Sequence, residues 1–346
     1  MTRRDARARE ADEFCREILP GVSRTFAVGI RLLPGDLGDA VRCAYLLCRI
    51  ADTIEDAPQL AASEKAGLLA AFDDCLDDAR AADEFTRRVA AISGEAAHVR
   101  LVRGSMLVLI SYRGLPDATR AHVRRWVGEM ILGMRKFVLA YPHGIRIQSI
   151  EEYREYCYYV AGTVGYLLTD LWREHEASIG AREYEALRER SRAFGEALQT
   201  VNILKDVARD AEHENSIYIP EELLRAHGSE HAAILTADRG RENHAALGAL
   251  VQLAWRDLDH AKAYLLTIPR RAVAIRLFCA LPLLFAYATL RDITARPGAI
   301  SRRENVKISR REVKSLTLLS VLGVMSNRAL AALVERARTK PLVLGL

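Results

Sequence analysis

Helix-breaking residues are few and widely spaced in this chain, and that removes most folds from consideration. Only 10 prolines and 21 glycines occur in 346 residues. Many gather at a handful of points: Leu33-Pro34-Gly35-Asp36, Ala57-Pro58, Gly114-Leu115-Pro116-Asp117, Tyr141-Pro142-His143-Gly144, Ile219-Pro220, Ile268-Pro269 and Arg296-Pro297-Gly298. Between these points Ala, Leu, Arg and Glu dominate, and no alternating β-branched runs are bounded by regular turn signals. The pattern predicts an all-α chain of about ten helices. Ala40 to Ile50, Val160 to Leu171 and Leu277 to Leu290 are apolar nearly all round, which marks helices at the centre of a large bundle. With no linker or repeat, the expectation is one domain over residues 1–346, its first ten or so residues frayed.

Composition narrows the function classes less sharply. Fifty basic side chains nearly balance 45 acidic ones, for a formal net charge of +5, which mildly favours anionic ligands without requiring nucleic acid. Six cysteines stand among apolar residues with no C-x-x-C pair, and the nine histidines form no cluster, so zinc and hydrolase signatures are absent from the sequence. The polar start, Met1 to Glu10, lacks the apolar stretch of a secretory signal, and the uncharged runs Leu277 to Leu290 and Ser315 to Asn327 fall short of the roughly 18 to 20 residues of a spanning helix. The expectation is a cytoplasmic protein with no obligate protein partner, free to rest on a membrane surface.

Two acidic patterns carry the chemistry. Asp52, Glu55 and Asp56 stand at i, i+3 and i+4, so on a helix their carboxylates share one face and repel unless a cation lies among them. A solvated helix end before Pro58 is the bland alternative for this cluster alone. The second pattern weighs against it: Asn202, Asp206 and Asp210 form an i, i+4, i+8 ladder, with Gln199 three residues before Asn202 and Leu198, Val201, Ile203, Leu204 and Val207 around them. A polar stripe on an otherwise apolar helix lines a cavity, because unsatisfied buried polar groups are costly. Two such stripes facing each other would clamp a magnesium-diphosphate cluster, since Mg²⁺ takes oxygen ligands and shares them with substrate phosphates.

These clusters sit inside longer motifs: Ser23-Arg24-Thr25-Phe26, Tyr45 to Ala51 leading into Asp52-Thr53-Ile54-Glu55-Asp56, Tyr156-Cys157-Tyr158-Tyr159-Val160-Ala161-Gly162, and Gln199 to Asp210. In this order they resemble the squalene and phytoene synthase family, which joins two prenyl diphosphates head to head, and the match spans nearly the whole chain. The resemblance implies a single bundle of the class I isoprenoid synthase type with a central apolar cavity. It implies Mg²⁺ and diphosphate on Asp52, Glu55, Asp56, Asn202, Asp206 and Asp210, with Asp52 and Asp206 central to catalysis. Ser23, Arg24, Arg49 and Lys205 would contact diphosphate, ordinary ion pairs being the alternative, and Arg suits phosphate geometry. Tyr45, one turn before Arg49, would orient or stabilise a cation. Tyr156 would move a proton, with packing the alternative in so aromatic a run. Phe26, Val160, Gly162, Gln199, Phe278, Cys279 and Pro282 would border the prenyl cavity, Gly162 and Gly165 serving close packing or room for tails.

The C-terminal third bears on the product. Phe278-Cys279-Ala280-Leu281-Pro282 and Val306-Lys307-Ile308-Ser309-Arg310-Arg311 resemble the reductive branch of the family, which converts two farnesyl diphosphates through presqualene diphosphate to squalene with NADPH. Six basic residues against two acids between Ser301 and Lys314 suit the phosphates of that cofactor, with Lys307, Arg310 and Arg311 as contacts, or alternatively form a solvated face or a lipid-facing patch. No glycine-rich dinucleotide fingerprint follows a strand, so such a site is non-Rossmann. A non-reducing relative making dehydrosqualene, hydroxysqualene or phytoene stays open at this point. A non-catalytic assembly factor is a remoter alternative, because every position of both acidic clusters is filled.

Overall fold

Helix propensity governs the described chain, residues 3–296 and 306–343 of a computed structural model, with the side chains of residues 3–5, 24 and 237 outside the description. The only β pairing among the described residues is an isolated parallel bridge between Arg146 and Ile217. By its contacts the chain divides into two compact units, residues 1–143 with 170–175 and residues 144–169 with 176–346.

The first unit holds α1 (Arg3–Val22), α2 (Arg24–Leu32), α3 (Gly35–Glu55), α4 (Ala62–Asp77), α5 (Ala81–Arg88), α6 (Ala96–Arg103), α7 (Ser105–Arg113) and α8 (Asp117–Ala140). The second holds α9 (Ile150–Cys157), most of α10 (Thr163–His175), α11 (Ala181–Arg209), α12 (Glu221–Ala226), α13 (Gly240–Thr267), α14 (Val273–Thr294), α15 (Arg310–Gly323) and α16 (Asn327–Thr339). These sixteen exceed the ten or so expected because several breaks need no proline: Gly104 alone separates α6 from α7, and Asp78 to Arg80 separates α4 from α5. At the N-terminus α1 begins at Arg3. Its Ala, Arg and Glu residues are strong helix formers, and Ala11 and Cys15 bury its inward face.

In the first unit α3 is the hub, packed against α1, α2, α4, α6, α7 and α8. That explains why Ala40, Val41, Cys43, Ala44, Leu46, Leu47 and Ile50 all lie inside, so the all-round apolarity read from the sequence marks a central helix. In the second unit α11 packs against α13 and α14 and against the π turn Tyr158–Gly162 that joins α9 to α10. Glycine makes that approach possible. A Cβ on Gly165 would fall 1.9 Å from the Ser191 carbonyl oxygen, and one on Gly195 would fall 2.0 Å from that of Ala161. Gly165 therefore serves close packing, while Gly195 was not read from the sequence.

Residues 273–294 are long and apolar enough to cross a membrane by length and composition, yet 83% of their 18-residue apolar window is buried inside the protein. Run-length counting misses this helix because Arg276 and Arg291 bracket its apolar middle. Both guanidiniums are buried and fully engaged. Arg276 donates to the carbonyls of Val324 (2.7 Å) and Ile268 (2.5 Å) and to Asn327 Oδ1 (2.7 Å). Arg291 forms a two-pronged pair with Glu312 at 2.8 and 3.0 Å and also reaches the Ala337 carbonyl. These contacts tie α14 to α15 and α16.

Two glycine substitutions should separate by sign. Gly165→Ala should destabilise by about 1–3 kcal/mol through overpacking. Gly248→Ala, in α13 with open space around its would-be Cβ, should stabilise by roughly 0.5–1 kcal/mol. Urea unfolding of both variants checks this, and equal effects would contradict the packing described.

Candidate active site

In the first unit α3 delivers its polar residues at its C-terminal end, once the apolar middle has been spent on packing. Tyr45, Arg49 and Asp52 follow at one-turn intervals. The Arg49 guanidinium pairs with the Asp52 carboxylate and receives further support from the Tyr45 hydroxyl at 3.4 Å, with its carbon 5.9 Å from the Tyr45 ring centre. Asp52 raises the Arg49 pKa further, against the opposing effect of burial. Tyr45 is itself held, donating to the Val22 carbonyl at 3.3 Å and lying 5.7 Å from the Phe26 ring. Ser23 starts α2 by accepting from the Phe26 amide at 3.1 Å, and this capping leaves its hydroxyl proton available. The side chain of Arg24 lies outside the described residues.

Asp52 and Glu55 are on the last turn of α3 and Asp56 caps it, its amide bonded to the Asp52 carbonyl at 2.9 Å. Three carboxylates thus crowd the negative end of a helix, the least favourable place for them. Lys65 offsets part of this by donating to the Glu55 carbonyl at 2.6 Å. Glu55 is buried and Asp52 is about one third exposed at 34%.

The second stripe repeats the arrangement at the end of α11. Val201, Ile203, Leu204 and Val207 are buried, while Asn202 is exposed and Gln199, Lys205 and Asp206 are half-buried. Lys205 Nζ lies 3.1 Å from Asp206 and 3.4 Å from Asn202 Oδ1, so a lysine ammonium occupies the centre of the stripe. The α-helix gives way to a π turn, Asp210–Glu214, closed by Asn215 in the left-handed conformation at φ 50°. This turn is buttressed from the segment after His143. Arg146 donates to the carbonyl and side chain of Asn215, and the Ser216 amide bonds the Asp210 carbonyl at 3.0 Å. Gly144 (φ 99°) is obligatory there, because a Cβ would strike the Asn215 carbonyl.

Asp210 carries a strongly perturbed carboxyl. Burial first, then the charges of Glu214 and Asp206, push its pKa up to about 8, against the smaller pull of Arg209 and Lys205. Glu214 was missed in the sequence, although Asp206, Asp210 and Glu214 repeat at four-residue intervals.

Tyr156 is buried and its ring stacks on Tyr218 at 4.8 Å. Tyr218 follows two residues after Ser216, so Tyr156 and the Asp210 turn are held by the same short segment. Tyr158 and Tyr159 pack on each other at 5.1 Å, as an aromatic run at helical spacing does. Of the residues expected around a prenyl cavity, Phe278, Cys279 and Pro282 are buried on α14, Gly162 is buried in the π turn, and Phe26, Val160 and Gln199 are half-exposed. Lys307, Arg310 and Arg311 are exposed at the start of α15, where Ser309 caps the helix. The upstream part of that basic segment, Ser301 to Asn305, lies outside the described residues.

Both stripes fit a hard, oxygen-seeking cation. The groups they offer a cation are oxygens, and burial, with the charges of Glu214 and Asp206 added to it, raises the Asp210 pKa. Among the described residues no group of three His, Cys, Asp or Glu side chains is disposed to hold a metal by itself. Mg²⁺ suits such a set, because it binds through one or two carboxylates and fills its shell with water and phosphate oxygens.

A carboxyl whose folded pKa of about 8 exceeds its ordinary 3.8 costs stability increasingly as pH rises between those values, and in full above the upper one. Asp210→Asn should therefore raise the metal-free Tm above pH 8 by at least about 2 °C. A thermal melt in chelator checks this, and an unchanged or lower Tm contradicts it.

Comparison with known proteins agrees with this geometry. The family model for squalene/phytoene synthase matches residues 19–312. A squalene synthase from Schizosaccharomyces pombe is 28% identical over 310 residues, covering 89% of this chain and 64% of that protein. Squalene synthase 1 of Arabidopsis thaliana is 27% identical over 280 residues, covering 80% and 64% respectively. The chain thus spans just under two thirds of the length of these relatives. Among solved structures, TcSQS in complex with the ligand BPH1237 superposes with a TM-score of 0.78 at 24% identity, covering 95% of this chain and 98% of that one, which establishes the fold. A matched stretch running from the end of α1 into α15, with both acidic stripes inside it, places the chain in the squalene/phytoene synthase family.

Proposed function

We propose that this protein is a squalene synthase, condensing two farnesyl diphosphates head to head through presqualene diphosphate and reducing the product with NADPH. The observation that carries the reading is the matched construction of the two stripes. Each ends a long helix whose other faces are packed, and each sets a basic side chain, Arg49 or Lys205, against a carboxylate that a divalent cation would claim.

Asp52, Glu55 and Asp56, and Asn202, Asp206 and Asp210, would hold Mg²⁺ and through it diphosphate. Bound Mg²⁺ supplies charge neutralisation of the leaving diphosphate. Once cations satisfy the carboxylates, Arg49 and Lys205 are free to turn their N–H groups to phosphate oxygens, with Ser23 and Arg24 adding further donors. The ion pairs seen around Arg49 and Lys205 are then the resting arrangement. Diphosphate departure leaves an allylic or cyclopropylcarbinyl cation, which apolar helix faces must keep from water. Tyr45 would orient that cation or stabilise it with its ring. Tyr156, held by its stack on Tyr218, would carry the proton at its phenolic oxygen. Lys307, Arg310 and Arg311, exposed and outside any ion pair among the described residues, would receive the phosphates of NADPH at the positive end of α15.

Purified protein given farnesyl diphosphate and Mg²⁺ should yield squalene only when NADPH is added. The same desaturated hydrocarbon or alcohol with and without NADPH would assign it to the non-reducing members of the family. The triple substitution Lys307→Ala, Arg310→Ala, Arg311→Ala should raise KM for NADPH by on the order of tenfold or more and leave presqualene diphosphate formation intact. An unchanged KM would remove these residues from the cofactor site.

A further inference from the structure

The face that α15 turns outward is apolar where a surface helix should be polar. Leu318, Val321, Leu322 and Met325 are 40, 49, 73 and 62% exposed. Their three- and four-residue spacing puts them on one side of the helix and of the turn that follows it. The buried side of the same helix carries Glu312, Ser315 and Ser320 beside Leu316. Serines inside and leucines outside reverse the usual distribution, and a contiguous exposed apolar patch of this kind marks a contact surface.

Charge on the same face says what the patch meets. Lys314, Arg310 and Arg311 are exposed, and at 100° per residue they fall on the side that carries the leucines, displaced toward the start of the helix. The side is therefore divided along its length, basic at the N-terminal half and apolar at the C-terminal half. Lys314 stands about 12 Å above Leu322 along the axis. Arg328, exposed in the first turn of α16, adds a cation beside the apolar tip.

The tip is also built to stay in place. Buried Arg276 grips the Val324 carbonyl and Asn327 Oδ1, and Asn327 in turn donates to the Leu266 carbonyl at 3.1 Å. Ser326 caps α16 by accepting from the Ala329 amide at 3.2 Å. An apolar turn held this way pays little ordering entropy on insertion.

We propose that the α15–α16 turn is a membrane-docking tip that dips into an anionic bilayer. Leu318, Val321, Leu322 and Met325 enter the acyl boundary to a depth of about 5–10 Å. Lys314 and Arg328 lie at the level of the acidic headgroups. Arg310 and Arg311, higher on the helix, stay above the surface and open to other anions. The inference rests on this surface and holds whichever product the enzyme makes.

Flotation of the full chain with vesicles tests it without any catalytic readout. The protein should float with phosphatidylcholine vesicles rich in phosphatidylglycerol, far less with pure phosphatidylcholine, and less as salt rises. Leu322→Asp with Met325→Asp should lower partitioning by at least about tenfold with circular dichroism and melting unchanged. Lys314→Glu should weaken it by roughly fivefold or more. A tryptophan placed by Leu322→Trp should be quenched by brominated acyl chains. The proposal is overturned if the wild type ignores anionic vesicles, or if the double variant binds them as well as the wild type does. It is equally overturned if light scattering finds a dimer that the double variant dissociates, since the patch would then be an interface between copies of this chain.

Discussion

Repulsion among carboxylates placed on one helix face is the constraint on which the rest of this structure depends. Asp52, Glu55 and Asp56 gather at the negative end of α3, and Asp206, Asp210 and Glu214 at the end of α11, where the helix dipole adds to their mutual cost. Nothing in folding rewards such clustering. The surrounding fold has to hold the acids there: α3 is packed on six neighbours, and the Asp210 turn is bolted through Asn215 and Ser216 to the segment that begins at Gly144. Arg49 and Lys65 at the first stripe and Lys205 and Arg209 at the second relieve part of the repulsion, while burial, more than the neighbouring acids, keeps the Asp210 pKa displaced upward. Under the proposed function, each of these acid-rich helix ends would take divalent cations and the phosphates they bring.

Close backbone approach, rather than large side chains, fixes the second stripe. Gly165 and Gly195 let α10 and the π turn Tyr158–Gly162 meet α11 with carbonyl oxygens where a methyl group would stand. Both interruptions of regular helix in this unit, at residues 158–162 and 210–214, lie next to residues assigned chemical roles. A π turn widens the helix by one residue per turn and re-aims the side chains that follow, a device frequent at functional sites.

The sequence made the stripes legible because helical periodicity is local: three and four residues apart means one face, whatever the tertiary structure does. The pairing of Arg49 with Asp52 was foreseeable for the same reason. Gly195 was not, since a glycine that admits another helix's carbonyl looks like any other glycine until the two backbones are brought together. The uncharged run Leu277 to Leu290 stops short of the whole buried helix because Arg276 and Arg291 flank it, and both are buried and spent on carbonyls and on Glu312. Burial of a charge depends on partners distant in the chain. The outward leucines of α15 are invisible to periodicity alone, because an apolar stripe says that a face is covered without saying by what.

The central claim is that the two acidic stripes are the metal and diphosphate ligands of one prenyl-transfer chemistry. Release of inorganic diphosphate from farnesyl diphosphate, followed as Mg²⁺ is titrated, tests it directly in the wild type and in Asp52→Asn and Asp206→Asn. Each substitution should lower the Mg²⁺-dependent rate by on the order of a thousandfold or more, the scale of losing a group that stabilises leaving-group charge, with the helical circular dichroism spectrum unchanged. Release at the wild-type rate by either variant, or release by the wild type that does not respond to Mg²⁺, would contradict the account.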